Sequence, residues 1–276
     1  MSASNEGATG FGPRGKPPEK AALEALYRRY NSRQWVHPDP LEFLYRYEDP
    51  ADREIAGFIA SSLAYGRVAQ ILASVARVLD PIGGSPARFL DETSPEKLAS
   101  MFGTFVHRFT TGSELVSMLA GLKGVRRQFG SLERCFLEGH SPEDDTVIPA
   151  LGFLLSRVGV TGDSGCNSLL PLPERGSACK RHHLFLRWMV RKDGVDPGGW
   201  DSVSPSQLVV PLDTHMYRIG LSWGFTERKS AGGAAALDLT MAFRKIAPED
   251  PVRYDFALTR LGIRKDPDVE NFICGR

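Results

Sequence analysis

Apolar residues recur at intervals of three and four positions along most of this chain, and that spacing constrains its fold more than any other feature. The segment 20–31 shows it first, with an apolar face made of Leu23, Leu26, Tyr27 and Tyr30. The same spacing predicts helices over 52–65, 68–79, 113–129, 146–158, 177–192, 230–246 and 250–261, and one that begins at Asp213. The one short β-like segment, 207–212, contains Pro211, which argues against a strand. We therefore expect an all-α protein.

The length of 276 residues fits one large domain or two small, closely packed ones. Residues 1–18 are rich in Gly, Ser, Ala and Pro without an apolar run, which predicts a disordered leader and not a secretory signal. We expect residues 19–276 to form one helical domain built of two subdomains, 52–158 and 169–261. A loop rich in Gly and Ser, 159–168, separates them.

The composition is that of an ordinary folded protein, with 42% hydrophobic and 24% charged residues. The net charge of +1 does not mark a nucleic-acid binder, so such a function must rest on local clusters. The four cysteines form no CxxC pair, which argues against zinc and redox motifs. No stretch approaches the roughly 20 apolar residues of a membrane span. We expect a cytoplasmic monomer without a cofactor or a membrane partner.

The segment Gly176–Lys192, GSACKRHHLFLRWMVRK, contains no Asp or Glu, and together with Arg175 it carries six Lys or Arg residues. On a helix of 3.6 residues per turn, Lys180, Arg187 and Arg191 fall on nearly one line, away from the aromatic residues. Such a helix can face the core on one side and a polyanion such as phosphate on the other. The simpler alternative is a solvated cationic face paired with acids from elsewhere.

Lys180 is the candidate nucleophile of this segment. If Ser177 is the N-cap, Lys180 lies about one turn into the helix, behind Gly176, where free backbone N–H groups can bind an anion. An amine close to a helix N-terminus and to several arginines is suited to nucleophilic catalysis. Lysines are common in first turns, so this residue by itself is a weak signal.

A second constellation, Val209–Arg218, delivers Asp213 to the start of a helix after an apolar run. As an N-cap its carboxylate would accept backbone N–H bonds at the positive end of the helix dipole. An anion held in this way can stabilise positive charge on a substrate or take a proton from an amine. The alternative is a purely structural cap, which is the role of most aspartates at such positions.

No metal site is expected from the histidines. His215 has no Asp, Glu or His partner at ligand spacing. His182 and His183 are adjacent in the chain and would point about 100° apart on a helix, which makes them poor joint ligands.

Together, these two constellations resemble the helix–hairpin–helix DNA glycosylase superfamily of base-excision repair. Pro211–Arg218 looks like the segment that opens its aspartate-bearing helix, and Glu54–Leu79, with Ser61–Arg67 at the bend, looks like its early helices and the loop that probes the duplex. The chain is closer still to an uncharacterised bacterial family that carries Gly-Ser-Ala-Cys-Lys-Arg and Leu-Arg-Trp-Met-Val-Arg. Among characterised relatives it is most similar to the archaeal 8-oxoguanine glycosylases. The resemblance covers roughly Asp52 to Leu261.

The resemblance implies two packed helical subdomains with a cleft between them, into which duplex DNA inserts a flipped nucleotide. Lys180 would attack C1′ of the sugar and form a Schiff base that permits strand cleavage. Asp213 would activate that amine or stabilise the cationic sugar. The implied activity is that of a DNA-repair glycosylase, with or without AP-lyase activity, acting on a damaged base such as an oxidised purine.

Further residues would bind the DNA. By the resemblance, Gly176 and Ser177 would donate N–H bonds to a phosphate beyond the lesion. Three arginines are candidates for backbone contacts from their charge alone: Arg181, Arg187 and Arg191. Candidates for the base pocket or for stacking are Tyr65, Trp188 and His215, and for Trp188 the alternative is a place in the core.

The hairpin departs from the superfamily pattern, which reads Leu-Pro-Gly-x-Gly, because 172–177 reads Leu-Pro-Glu-Arg-Gly-Ser with one glycine. This departure puts phosphate binding by the hairpin in doubt. Two other functions therefore stay open. One is a non-catalytic nucleic-acid binding protein on the same scaffold, and the other is an enzyme that uses Lys180 for imine chemistry on a small molecule.

Overall fold

The computed structural model describes residues 16–159 and 167–263, and within them the protein is helical. The first helices are α1 (Lys20–Tyr30), α2 (Pro50–Ser62), α3 (Val68–Ile82), α4 (Pro86–Glu92), α5 (Pro95–Phe102) and α6 (Gly112–Phe129). They are followed by α7 (Leu132–Leu137), α8 (Ile148–Gly159), α9 (Lys180–Val190), α10 (Thr214–Ser222), α11 (Gly233–Ile246) and α12 (Asp255–Ile263). Short 3₁₀ helices occupy Arg33–Trp35, Pro40–Arg46, Pro173–Arg175 and Pro205–Gln207.

The all-α prediction is confirmed, with one addition. A two-stranded antiparallel hairpin, β1 (Val106–His107) and β2 (Thr110–Thr111), joins α5 to α6. The predicted β-like segment 207–212 is not a strand, because Gln207 ends a 3₁₀ helix and residues 208–212 have no regular secondary structure. The leader predicted over 1–18 falls mostly outside the described residues, as does most of the loop predicted over 159–168.

The core is continuous, and α2 and α9 pack at its centre. Gly57 of α2 permits the close approach, because a Cβ atom there would lie 3.2 Å from the Leu44 side chain and 3.4 Å from Phe185 of α9. Phe58 meets Phe185 edge to face, with ring centroids 5.3 Å apart. Trp200, from the loop after α9, packs against the same Phe185 ring at 5.2 Å. The helix that carries the predicted nucleophile is therefore fixed along most of its length.

The N-terminal segment packs against the C-terminal helices of the described chain. Glu24 of α1 accepts hydrogen bonds from Arg253 at 2.9 Å and from Tyr254 at 2.7 Å, just before α12. Farther along, Asp39 accepts the Leu41 N–H at 3.0 Å and a hydrogen bond from Arg260 of α12. The Arg260 contact brings residues 38–40 against α12, which also packs against α10.

Candidate functional site

Lys180 and Asp213 lie on the wall of the same cavity, which has a volume of about 160 Å³. Four parts of the chain form the wall: residues 38–40, the turn after α2 with the start of α3, the first turns of α9, and α12 with the segment before α10. Its polar and charged lining is contributed by Asp39, Lys180, Arg187, Asp213, Asp255 and Thr259. The two residues that sequence reasoning selected independently thus meet at one place.

Lys180 is the first residue of α9, and not one turn inside it as predicted. The N-cap is Cys179, in the left-handed region at φ 42°, and Ser177 instead accepts the Cys179 N–H at 3.1 Å. The prediction of Ser177 as N-cap is therefore wrong, because residues 177–179 form a turn before the helix. The partly buried Lys180 amine forms no hydrogen bond or ion pair with any residue that the structure describes.

Asp213 is the N-cap of α10, as predicted, and its Oδ1 accepts the Met216 N–H at 2.8 Å. The extended chain before it is buried at Val209 and Val210, and the Val210 N–H donates to Thr240 at 3.0 Å. The carboxylate is therefore held at the cavity wall by its own helix and by a segment fixed in the core. A fixed anion near a free amine can accept a proton from it or stabilise a nearby cation.

Two further carboxyl groups line the cavity, Asp39 and Asp255, and neither was predicted from the sequence. Asp255 is buried and accepts a hydrogen bond from Arg187 at 2.5 Å. Burial raises its pKa to about 6, because the favourable charge of Arg187 does not offset the loss of water and Asp213 adds a like charge. Asp39 is tied to Arg260 and to its own 3₁₀ helix. No local motif announces either residue as part of a site.

Arg187 and Arg191 are ion-paired inside the protein, and the prediction that they contact a DNA backbone is wrong. Only 3% of Arg187 and 4% of Arg191 is exposed. Both pair with Asp196, which has no exposed surface. Arg187 also pairs with Asp255, and Arg191 with Asp193 and Asp250. The simpler alternative is therefore right about the acid partners from outside the segment, but wrong about solvation, because both side chains are buried.

Arg181 turns toward the interior and donates to two backbone carbonyls. Its distances are 2.6 Å to the Ser62 oxygen and 2.5 Å to the Ser168 oxygen. Its guanidinium carbon lies 4.9 Å from the centroid of the Tyr65 ring. Arg181 thus ties the turn after α2 to the segment before α9, and its contact with a DNA backbone stays a prediction.

None of the three predicted pocket or stacking residues lines the cavity. Trp188 has no exposed surface, so its prediction as a stacking residue is wrong, because it belongs to the core. The His215 ring, on α10, is hydrogen-bonded through Nε2 to the Leu258 carbonyl at 3.1 Å. Tyr65 donates its hydroxyl hydrogen toward Thr110 at 2.6 Å, and its ring stacks on Phe109. Tyr65 therefore belongs to a neighbouring surface and not to the cavity wall.

The predicted phosphate-binding turn is occupied in part by its own chain. The Gly176 N–H donates to the Pro173 carbonyl at 2.8 Å, and the Gly176 carbonyl accepts the Gly233 N–H at 3.0 Å. Gly176, at φ 77°, therefore closes a turn against the start of α11, and the prediction that its N–H serves a phosphate is wrong. The same role for the Ser177 N–H stays a prediction.

Residues 16–159 and 167–263 contain neither a cluster of metal-ligating side chains nor a membrane-spanning helix. No group of three or more His, Cys, Asp and Glu side chains there is arranged to hold a metal ion. No helix in those ranges has both the length and the apolar character needed to cross a membrane.

Comparison with known proteins places the chain in one family. A family model described as "Protein of unknown function (DUF2400)" matches residues 39–264, and the chain belongs to that family. No curated protein and no solved structure matches the sequence. The matched range begins at Asp39 and includes Lys180, Asp213 and Asp255, so the whole charged lining of the cavity lies within it.

Proposed function

We propose that this member of the family is a DNA glycosylase of the helix–hairpin–helix type, which removes a damaged base and uses Lys180 as its nucleophile. The observation that carries the proposal is the shared cavity of Lys180 and Asp213. Lys180 is the first residue of α9 and Asp213 is the N-cap of α10, so the backbone of both residues is fixed by helices that pack in the core. Catalysis of base excision depends on such positioning before the substrate arrives.

The size of the cavity indicates that it binds a small, rigid group of a ligand. Its volume of about 160 Å³ is well below the roughly 300–1,000 Å³ of pockets for drug-sized ligands. A single flipped base is a group of that kind, with the sugar left at the mouth. Asp39 and Asp255 add carboxyl oxygens, which accept hydrogen bonds from ring N–H or amino groups. An oxidised purine offers such donors on its edges.

The proposed reaction needs only groups that the cavity contains. The neutral Lys180 amine attacks C1′, a C–N bond forms there, and the bond from C1′ to the base breaks. The Asp213 carboxylate accepts a proton from the attacking amine and passes it to the base, which departs with the bonding electron pair. The C1′–O4′ bond then breaks, O4′ takes its electron pair and the remaining amine proton, and an imine between Lys180 and C1′ is left, from which strand cleavage proceeds.

The alternative of a non-catalytic nucleic-acid binding protein finds less support. It relied on Arg187 and Arg191 as free cations, and these residues are buried in ion pairs. An enzyme that performs imine chemistry on a small molecule would use the same Lys180 amine. We favour DNA because the cavity takes only a small group, and a base attached to a polymer can be bound largely through contacts outside the cavity.

Borohydride trapping tests the proposal directly. Duplexes with one abasic site or one damaged base, 8-oxoguanine among them, are incubated with the full chain and borohydride, which reduces an imine to a stable amine. The wild-type protein should become cross-linked to at least one duplex, and Lys180→Gln should not. Lys192→Gln is the matched control, since Lys192 is exposed just past the end of the same helix and does not line the cavity. An undiminished adduct in Lys180→Gln, or none in the wild type, would refute the proposal.

A further inference from the structure

The β1–β2 hairpin carries an exposed aromatic residue at its tip. The two residues between the strands are Arg108, at φ 55°, and Phe109, of which 62% is exposed. Exposure of so much apolar surface to water is unfavourable in free energy, and a positive φ is unfavourable for arginine. The positive φ belongs to the two-residue turn itself, but that turn does not require an exposed aromatic side chain at position 109.

Buried contacts hold the base of the hairpin in place. The His107 ring is hydrogen-bonded to the Ser74 hydroxyl at 2.8 Å and to the Tyr65 carbonyl at 3.1 Å. The Tyr65 hydroxyl lies 2.6 Å from the Thr110 hydroxyl, which in turn lies 2.9 Å from Ser168. The hairpin is thereby joined to α3, to the turn after α2 and to the segment that leads to α9.

Phe109 stacks on a ring that also contacts the helix of the proposed nucleophile. The Phe109 and Tyr65 rings have centroids 4.8 Å apart and an interplanar angle of 26°. The Arg181 guanidinium lies over the same Tyr65 ring at 4.9 Å, and Arg181 follows Lys180 in α9. A stacked pair exposed on one side offers a flat π surface close to the start of α9.

The charges beside Phe109 favour an anionic partner. Arg108 and Arg67 are both exposed, and neither forms an ion pair with a residue that the structure describes. The Arg108 side chain lies over Gly66, where a Cβ atom would be 2.8 Å from its Cδ, so Arg108 lies close to the backbone that carries Arg67. Aromatic rings that stack on bases, next to arginines that face the backbone, form the usual binding surface for unpaired nucleic acid.

We propose that Phe109 stacks on an unpaired nucleobase of DNA, with Arg108 and Arg67 facing the adjacent phosphates. This inference rests on the proposed function, since it takes the partner of the cavity to be DNA. It assigns to the hairpin the recognition of a place where pairing is already broken. The Phe109 ring then buries its exposed face against the base, and the Tyr65 ring supports it from below.

Equilibrium binding in a Lys180→Gln background tests the stacking apart from any chemistry. The probes are a fully paired duplex and a duplex of the same sequence with one 2-aminopurine opposite an abasic analogue. Phe109→Ala should weaken binding to the second probe by about tenfold, the usual loss for one stacked base, and should change binding to the paired duplex less. It should also relieve part of the quenching of 2-aminopurine fluorescence. Arg108→Gln should weaken binding to both duplexes. It should also reduce the slope of log K against log salt concentration by about the contribution of one phosphate contact.

Two variants serve as references for the loss in Phe109→Ala. Phe109→Tyr keeps the ring and should retain binding to the unpaired probe. Met241→Ala removes a side chain that is 49% exposed on α11, outside the hairpin, and should leave binding unchanged. Equal affinity of Phe109→Ala and its parent for the unpaired probe would overturn the proposal. So would a change in self-association of Phe109→Ala without a change in DNA binding, since that result would make the hairpin a protein contact.

The outcomes separate this inference from the proposed function. DNA binding that depends on Phe109, in a protein that traps no adduct, refutes the glycosylase proposal and keeps the stacking surface. Lysine-dependent trapping that is insensitive to Phe109 keeps the glycosylase proposal and refutes the stacking surface. Absence of DNA binding by the wild-type chain at low salt, together with absence of trapping, refutes both.

Discussion

Lys180 begins α9 and Asp213 caps α10, and both side chains face one cavity although 33 positions separate them in the sequence. The segment between α9 and α10 folds back so that Asp196 lies beside α9 and pairs with Arg187. Arg187 in turn pairs with Asp255 on the cavity wall. The buried ion pairs and the proposed catalytic pair are thus parts of one charged cluster that includes the start of α9.

Asp213→Asn should abolish most of the proposed activity while leaving the fold intact. The amide oxygen can still accept the Met216 N–H, so the cap is preserved, and only the charge and proton-accepting ability are lost. Loss of a positioned acid or base typically costs about 10²–10⁴-fold in rate. The measurement is single-turnover base release from the duplex that gives the strongest trapping signal.

Asp49→Asn is the matched control for the loss of a capping charge. Asp49 caps α2 and accepts the Ala51 N–H at 2.8 Å, but it lies outside the cavity. Its substitution should leave base release unchanged. If Asp213→Asn kept the wild-type rate, Asp213 would be only a structural cap.

Arg187→Met should destabilise the protein strongly. The substitution leaves Asp196 and Asp255 without a shared cation in the interior, and removal of one member of a buried ion pair costs about 3–5 kcal/mol. Arg46→Met is the control, because Arg46 pairs with Asp80 where both side chains are about half exposed. A surface pair of that kind contributes about 0–1 kcal/mol. Urea unfolding of both variants gives the comparison, and equal losses would argue against a stabilising role for the buried network.

Much of the helical architecture could be predicted from the sequence, because each long helix buries one stripe of apolar residues. The prediction for α1 is confirmed within one residue at its C-terminal end, and that for α6 within one residue at its N-terminal end. Helices α4, α5 and α7 were missed because they are short and carry few periodic positions. A capping signal was present in α4 and α5, since each begins at a Ser-Pro pair, Ser85-Pro86 and Ser94-Pro95.

The candidate site was predictable only where a residue had a local signature. Asp213 has one, since an apolar run leads to an N-cap. Asp39 has only a capping signal before Pro40, which does not mark a site, and Asp255 has none; both join the cavity through packing of α1 and α12, which no local pattern encodes. The sequence does contain a signal that Arg187 and Arg191 are ion-paired and do not bind DNA. Asp193 and Asp196 follow directly after the basic segment and are partners of these arginines.

Gly121→Ala should destabilise the crossing of α6 and α8. A Cβ atom at Gly121 would lie 1.9 Å from the Val158 carbonyl oxygen, a backbone atom that cannot move without shifting α8. Such overpacking typically costs about 1–3 kcal/mol, more than the gain in helix propensity from alanine. Gly84→Ala, where a Cβ atom would meet nothing within 4 Å, should be close to neutral. Thermal unfolding distinguishes the two, and similar melting temperatures would contradict the close crossing.

Acid should destabilise the protein through the neutral histidines of α9. Burial lowers the pKa of His183 to about 4 from its ordinary value of 6.5, and it lowers that of His182 as well. Between those pH values the unfolded chain binds a proton that the native state does not, so stability is intact above pH 6.5 and falls as the pH drops toward 4. For His183 the full loss is roughly 3 kcal/mol at about 1.4 kcal/mol per pKa unit.

His183→Leu should reduce this pH dependence, because the leucine has no proton to bind in either state. Urea unfolding at pH 7.5 and at pH 4.5 should therefore show a smaller drop in stability for the variant than for the wild type. His37→Asn is the control, since the His37 side chain is 76% exposed and folding removes little of its hydration. A drop in His183→Leu as large as in the wild type would mean that other groups, such as paired carboxylates, dominate the acid response.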